Sequence, residues 1–421
     1  MIKETLLQYI WQNKLFAVHN LQTTNGETIE VIDFGRRNTD AGPDFFNAKL
    51  KIGNKMWAGN VEIHLRSSDW LRHKHDKDEA YNSVILHVVK EADTDIFRAT
   101  GEKIPQLVLP ISAGILEKYE NLIDKNKKIP CAKEFSQIPE IFIHSWLNAL
   151  LLERLHSKTE HIASLLEKNK NNWEEAFYII LLRNFGFGIN GEPFERLAQS
   201  LSLTYLQKHK NNLFQIEAMF FGQAGLLENG DEYAGKLKSE YNFLRTKFAL
   251  TPLENAGWKL LRLRPVNFPQ LRIAQFAALI HNSSKLFSKI IENPDYEYVF
   301  KLFEVEPSEY WDTHYTFRHA SPKRSKKMGE NAINTLLINT IVPFLFFYGK
   351  KNNNESLQES ALKLLEKIPP ETNRITKEWA ETGIKPQNAF DTQALIELQK
   401  NYCDKKDCLR CRICHKVLRK S

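Results

Sequence analysis

The stretch Asp33-Phe-Gly-Arg-Arg-Asn-Thr-Asp40-Ala-Gly-Pro-Asp44-Phe45, followed by Trp57-Ala-Gly-Asn-Val-Glu62-Ile-His64, decides how the first quarter of this chain is read. Apolar or alternating runs at 29–34, 45–52, 56–65, 84–89 and 106–109 predict β-strands, separated by turn signals at Asn38 to Pro43 and at Gly53-Asn54. Gly53-Asn54 lies between two alternating runs, the pattern of a tight hairpin. Side chains alternate across a strand, so Asn60, Glu62, His64 and Arg66 share one face while Val61, Ile63 and Leu65 share the other. The hairpin carries Asp44, at the start of its strand, toward Glu62. Residues 69–82, between two strands, predict a helix.

Working outward, the opening residues are broken by Lys3, Glu4, Gln8 and Lys14. They lack a signal-type apolar run and predict a short amphipathic helix. Ala113–Lys125 reads as a helix, followed by a charged break around Lys128 and Pro130. From Pro139 to about Leu398 the apolar positions recur at helical spacing. The fold class is therefore α+β: a mixed α/β module at 1–125, an all-helical domain at 135–400, and a basic Cys-rich tail at 401–421. The most apolar run, Ile333 to Tyr348, contains Asn334, Asn339, Thr340 and Pro343. It is shorter than the roughly 20 residues of a membrane span, so a buried helix and no membrane partner are expected.

Of 421 residues, 42% are hydrophobic and 26% charged, which places the chain among globular proteins and excludes disordered and collagenous classes. A net charge of +7 is compatible with a phosphate-rich partner. Cys131 stands alone and four of the five cysteines crowd into 403–414. That layout is unlike a secreted disulfide framework and points to a reducing, cytoplasmic setting.

Pro43-Asp44 stands 18 positions before Glu62, within an order of helix, strands, helix and strand over residues 3–89. Two carboxylates on adjacent strands suit hard divalent ions that keep open positions for water and phosphate. The pattern resembles the PD-(D/E)XK nuclease superfamily. That resemblance implies that Asp44 and Glu62 bind Mg²⁺ or Mn²⁺, with Glu4 as a helix glutamate joining them. It also loosely matches Asp78 and Tyr81 to polar and tyrosine positions near such a site. His64 occupies the place of the family's lysine, and Lys49 or Lys51 on the preceding strand could supply that charge. As a whole, the sequence also resembles a bacterial domain-of-unknown-function family. The matching phrases are Asn38 to Phe45, Gly59 to His64, Ser67 to Trp70, Arg264 to Pro269 and the Cys-rich end.

A second constellation follows: Asp69, His73, His75, Asp76, Asp78, Tyr81 and His87, which with Glu62 and His64 has the residue types of a zinc or manganese site. His64 and His87, within apolar strands, are the favoured metal ligands. On a continuous helix His73 and His75 point about 200° apart and cannot both reach one ion, so incidental surface histidines are the bland alternative. The spacing His73-x-His75-x3-Glu79 is that of a cupin site, but the surrounding glycines and short strands of a cupin are lacking.

Two basic segments suit phosphate contacts: Arg262, Arg264 and Arg272 around Pro265 to Pro269, and Lys323 and Arg324 within Ser321 to Lys327. The alternative is that they satisfy helix ends and solvent. In the tail, Cys403-x4-Cys408-x2-Cys411-x2-Cys414-His415 gathers thiolates that repel unless a soft metal neutralises them. Zn²⁺ or an iron–sulfur cluster is expected there, with Cys131 as a further donor. The function expected is a divalent-metal-dependent nuclease acting on DNA or RNA. The alternatives are a nucleic-acid-binding protein with a decayed nuclease fold, and a metal-dependent hydrolase of a small substrate using the histidines.

Overall fold

The computed structural model describes residues 2–419 apart from 229 and 255. The protein is mixed α+β, 54% helical, with an N-terminal mixed sheet and a helical C-terminal region. It divides into two compact units. Unit 1 is Met1–Trp146 with Glu381–Gly383 and Leu398–Ser421, and unit 2 is Leu147–Ala380 with Ile384–Glu397. The Cys-rich tail thus falls in unit 1.

Unit 1 is built on seven strands: β1 (Leu21–Gln22), β2 (Thr28–Asp33), β3 (Arg36–Arg37), β4 (Phe45–Ile52), β5 (Lys55–Arg66), β6 (Val84–Glu91) and β7 (Gln106–Val108). Their order is β1-β2-β4-β5-β6-β7, with β3 paired to β4. The two-residue strands β1 and β3 carry too little pattern to be read from sequence. Strands β1, β2, β4 and β5 pair antiparallel, and β5, β6 and β7 pair parallel. Gly53, at φ +56°, makes the β4–β5 turn. Along β4, Phe45, Ala48, Leu50 and Ile52 are buried while Lys49 and Lys51 are exposed, the alternation of a sheet with one packed face. Along β5, Val61 to His64 are all buried, because this half of the strand is covered on both faces.

One register detail matters for the site. The β4–β5 ladder shifts between Phe45 and Ala48, where Asn47 takes φ +59° and its N–H donates to Asn60 Oδ1 at 3.1 Å. Beyond the shift Phe45 pairs with Val61, which sets Asp44 across from Glu62. On the other side of β5, Glu62 pairs with His87 of β6.

Helix α1 (Glu4–Gln12) buries Leu6, Leu7, Ile10 and Trp11, and Trp11 donates to the Phe34 carbonyl at 3.0 Å. The continuous helix expected at 69–82 is not formed. Helix α2 (Asp69–Arg72) stops after four residues, Lys74 adopts φ +64°, and two 3₁₀ turns follow at His75–Lys77 and Glu79–Tyr81. The physical reason lies in the residues 72–77, Arg-His-Lys-His-Asp-Lys, which offer no apolar side chain at helical spacing to bury. The crossover is pinned instead by Trp70 and Tyr81, which pack with Val84, Ile96 and Ile104. Helix α3 (Ala113–Leu122) is capped by Ser112, which accepts from the Ile115 N–H. The C-terminal helix Arg412–Arg419 is tied to α1 through Tyr9 Oη and His415 Nδ1, 2.7 Å apart.

Unit 2 is helical. Trp173–Phe185, Leu213–Gln223 and Pro269–Asn282 contain the buried faces expected from their spacing, and Asn172 and Asn212 cap the first two. Phe185, Phe220 and Phe276 meet edge to face at its centre. The apolar run at 333–348 lies in a longer helix than its sequence suggested. Glu330–Lys351 spans 22 residues, enough by length and composition to cross a membrane, and 78% of its most apolar window is buried within the protein. The helix is buried as expected, but the shortness from which that was expected does not hold.

Unit 2 also encloses Glu217, which accepts from Tyr233 Oη at 2.5 Å, Ser308 Oγ at 3.0 Å and Trp311 Nε1 at 3.1 Å. Burial raises its carboxyl to about 7, partly offset by these donors. A carboxyl whose folded pKa exceeds its unfolded value favours the native state most when both are protonated. Stability from this group is therefore fully present below about pH 4.5 and lost as pH rises to about 7, a change on the order of 3 kcal/mol. Urea unfolding across that window should show the Glu217→Gln variant losing this slope. A second prediction concerns β5. A Cβ on Gly59 would lie 2.6 Å from the Ser83 carbonyl oxygen and would collide with the Ile85 side chain. Gly59→Ala should lower unfolding stability by about 1–3 kcal/mol, measured by the same titration.

Candidate metal centre

Four side chains converge at the β5 end and the crossover that follows it. Glu62 and His64 point to the same face of β5, two residues apart. His75 arrives from the first 3₁₀ turn, and His73 from the residue after α2. His64 Nε2 lies 3.4 Å and His75 Nε2 3.5 Å from Glu62 Oε1, and His73 Nδ1 lies 3.2 Å from His64 Nε2. One ligand atom from each of His64, His73 and His75 falls within 4.8 Å of the others. Tetrahedral bonds of about 2.1 Å place donor atoms about 3.4 Å apart. The three short separations are close to that edge length, and two of them are long for hydrogen bonds. The group whose ligand atoms all lie within 4.8 Å of one another is the three histidines, with Glu62 Oε1 beside two of them.

The expectation that His73 and His75 point apart on a continuous helix is corrected, since their ligand atoms lie within 4.8 Å of each other. The helix they were assigned to breaks at Lys74, and the left-handed residue between them swings both rings to the same point. The charge-dense, non-amphipathic run 72–77 was the signal that the helix would not continue.

The rings are held from behind. His64 Nδ1 lies 2.8 Å from His87 Nε2. With the His64 proton on Nδ1 and donated to His87, the Nε2 lone pair faces the cluster, the arrangement metal-binding imidazoles need. His87, favoured from sequence as a ligand, thus stands behind His64. Tyr81 stacks on His75 at 3.7 Å and Trp70 meets it edge-on at 5.3 Å. His64 and His87 are buried, whereas His73 is exposed and leaves the cluster open to solvent on its side.

Burial dominates the electrostatics. It lowers His64 to about 2, with His87, His73 and His75 adding to the effect, and lowers His87 to about 3. His75 falls to about 4 for the same first reason. Glu62 is raised to about 9 by burial and then by the charge of Asp44. His64, His75 and His87 are therefore neutral imidazoles, and the charged form of Glu62 is favoured where a cation compensates it.

Asp44 plays a different part. Its N–H donates to Glu62 Oε2 at 2.9 Å, its Oδ2 accepts from the Ile63 N–H at 3.0 Å, and its Oδ1 accepts from Gln8 Nε2 at 2.8 Å. Burial raises it, and the Gln8 and Ile63 donors and Arg37 oppose that rise. The two carboxylates are thus neighbours, as the register requires, with Asp44 gripping the oxygen of Glu62 that faces away from the histidines. Glu4 stands close by, half-buried and raised to about 7 by burial and by the charges of Asp44 and Asp69. Asp78 caps the second 3₁₀ turn by accepting from the Ala80 N–H. Lys49 is exposed and pairs with Ala58, four residues and about 13 Å along the strand from Glu62. Lys51, beside Met56, is farther still.

The other candidates form two further groups. Arg264, Arg272 and Arg324 line one cavity of unit 2, outside whose lining Arg262 and Lys323 fall. In unit 1 all five cysteines are buried free thiols. Cys414 is pushed well above the ordinary thiol range by hydrogen bonds to Cys131, Cys408 and Cys411. Cys403 is raised by burial and by its neighbours Cys131, Cys411 and Cys408. The isolated Cys131 is therefore brought to the tail cysteines, a proximity that sequence spacing left open.

A family profile described as "Protein of unknown function (DUF2851)" matches residues 4–374. The chain belongs to that family. The matched span takes in the Glu62–His75 cluster and the basic cavity and ends before Cys403 to Cys414. No curated protein and no solved structure matches the chain.

Proposed function

We propose that unit 1 is a divalent-metal-dependent phosphoester hydrolase, with nucleic-acid phosphodiesters as its substrate, whose ligands are Glu62, His64, His73 and His75. The observation that carries this reading is the convergence of three imidazoles whose ligand atoms lie within 4.8 Å of one another, with Glu62 Oε1 within 3.5 Å of two of them. The phosphoester half of the reading is supported by the order helix, antiparallel strands, broken helical crossover and parallel strand. The Pro43-Asp44 and Glu62 pair facing across the β4–β5 ladder supports it further.

A bound ion at such a centre polarises a phosphoryl oxygen and lowers the pKa of a coordinated water. The chain's own contribution is positional. His87 fixes the His64 tautomer, the Asp44 N–H holds Glu62 Oε2 so that Oε1 faces the imidazoles, and Tyr81 and Trp70 lock the His75 ring. Three nitrogens and one oxygen favour Zn²⁺ or Mn²⁺ over Mg²⁺, which takes oxygen ligands. A second reading rests on Asp44, whose carboxylate oxygens each keep a further lone pair. In it, Asp44 and Glu62 hold Mg²⁺ or Mn²⁺ as the nuclease resemblance implies, and the histidines only line the site.

The test is cleavage of an activated phosphodiester and of single- and double-stranded oligonucleotides by the full chain with Zn²⁺, Mn²⁺ or Mg²⁺. Glu62→Gln and His73→Ala should each lower the rate by about a hundredfold or more with unchanged unfolding midpoints, and Lys49→Ala should leave it unchanged. Activity that survives His73→Ala and His75→Ala but not Asp44→Asn favours the carboxylate reading. Absence of both metal and cleavage defeats the catalytic reading and leaves nucleic-acid binding, scored by its salt dependence.

We also infer that the buried thiols of Cys131, Cys403, Cys408, Cys411 and Cys414 include a ligand set for Zn²⁺ or an iron–sulfur cluster. Elemental analysis should show Cys414→Ser losing this metal while keeping that of the histidine centre, with His73→Ala doing the reverse. Equal metal content in wild type and Cys414→Ser would count against the thiol site.

A further inference from the structure

The two basic segments of unit 2, about 60 residues apart in sequence, line one cavity of about 560 Å³. Arg264 and Arg272 enter it from around the Pro265–Asn267 turn, and Arg324, Lys326 and Lys327 from the loop before the helix Glu330–Lys351. Glu330 is the single carboxylate in the lining. A lining of five cations and one anion is already unusual. The state of the two deepest cations is more informative.

Lys326 is 4% exposed, and its Nζ makes no hydrogen bond to any described protein atom. It rests 3.9 Å from the centre of the Tyr315 ring. Arg272 is 5% exposed and lies 4.1 Å from the Phe187 ring. Its two terminal nitrogens donate to Gln275 Oε1 at 2.8 Å and Asn267 Oδ1 at 2.6 Å, neutral partners both, while its Nε has none. Gln275 in turn donates to the Lys326 carbonyl at 2.8 Å, which ties the two segments together. A buried ammonium without an acceptor is costly, and an aromatic face recovers only part of that cost. Among the described residues no carboxylate pairs with either group, although Lys327 on the same loop pairs with Glu304 at 2.9 Å. The fold thus spends its acidic partners on the rim and leaves the floor positive.

We propose that this cavity binds the phosphate group of a small phosphomonoester, with Lys326 and Arg272 at its floor and Arg264 and Arg324 at its mouth. Charge-assisted hydrogen bonds from an ammonium and a guanidinium are the chemistry that recognises a phosphate dianion. The volume exceeds that of one phosphate and falls in the range of small-ligand pockets, so the group carrying the phosphate is also accommodated. The site is independent of the metal centre in unit 1.

The test uses the full chain, with inorganic phosphate and a nucleoside 5′-monophosphate as probes and chloride at matched ionic strength as the control. Both thermal midpoint and calorimetric binding are read. Either phosphate probe should raise the wild-type midpoint beyond chloride. A monoester that binds more tightly than inorganic phosphate identifies the carried group as part of the ligand, and equal binding identifies the free anion. Lys326→Met should weaken binding about tenfold or more without lowering the midpoint of the ligand-free protein. Arg264→Ala, at an exposed position, provides a second variant that leaves the core intact and should weaken binding in the same direction. No midpoint shift beyond chloride, or undiminished binding in both variants, overturns the proposal. An unphosphorylated oligonucleotide that displaces the monoester would also overturn it, in favour of a nucleic-acid backbone site.

Discussion

Two hydrogen bonds across one step of antiparallel register organise unit 1. The Asp44 N–H donates to Glu62, and the Ile63 N–H donates to Asp44. Each carboxylate is thereby held by the backbone of the other's strand, and Glu62 is left with one oxygen committed to β4 and one directed at the imidazoles. The shift in the ladder at Asn47 is what brings this about, since the pairing of Phe45 with Val61 follows from it. Without that shift the alternation of β4 would present a different face to Glu62. The sheet, the crossover and the histidine rings are all arranged around an oxygen whose position is fixed by backbone donors.

The arrangement runs against stability. Glu62 and His64 are 5% and 1% exposed, and His87 is fully buried. Burying so many polar groups costs free energy unless each is paired. The surrounding Trp70, Tyr81, Val84, Ile96 and Ile104 cluster supplies the apolar contact that holds them. Burial favours neutral His64, His75 and His87 and a protonated Glu62. Unit 2 contains the opposite case: Arg272 and Lys326 are buried cations with too few acceptors. The cations leave Arg272 Nε and Lys326 Nζ without partners among the described residues, as His87 Nδ1 is behind the histidines, and such exceptions tend to mark function.

Local pattern carried much of this into the sequence. The alternation at 45–52 and 56–65 and the Gly53-Asn54 turn were enough to bring Asp44 near Glu62. The exact pairing was not legible, because the unshifted register would set Asp44 across from Ile63 and only the shift at Asn47 sets it across from Glu62. The helical faces of unit 2 followed from spacing alone. What local pattern could not carry was convergence. His73 and His75 look incompatible on any regular helix, and only the left-handed Lys74 reconciles them. A charged residue at positive φ leaves little trace in composition, although the missing amphipathicity of 72–77 hinted at it. The meeting of Arg272 with Lys326, and of Cys131 with Cys414, joins segments tens to hundreds of residues apart, which no spacing rule reaches. The nuclease resemblance covers Asp44, Glu62, His64 and Lys49 and has no place for His73 and His75, which gather beside them.

We propose that Glu62 and three histidines form one ligand set. X-ray absorption at the metal edge of the Zn²⁺-loaded Cys414→Ser protein tests it most directly, because removing the thiol site isolates the first. The expected result is a first shell of low-Z donors near 2.0–2.1 Å, with the outer-shell scattering of three imidazoles that falls to two in His73→Ala. An all-oxygen shell without imidazole scattering, unchanged in that variant, would contradict it.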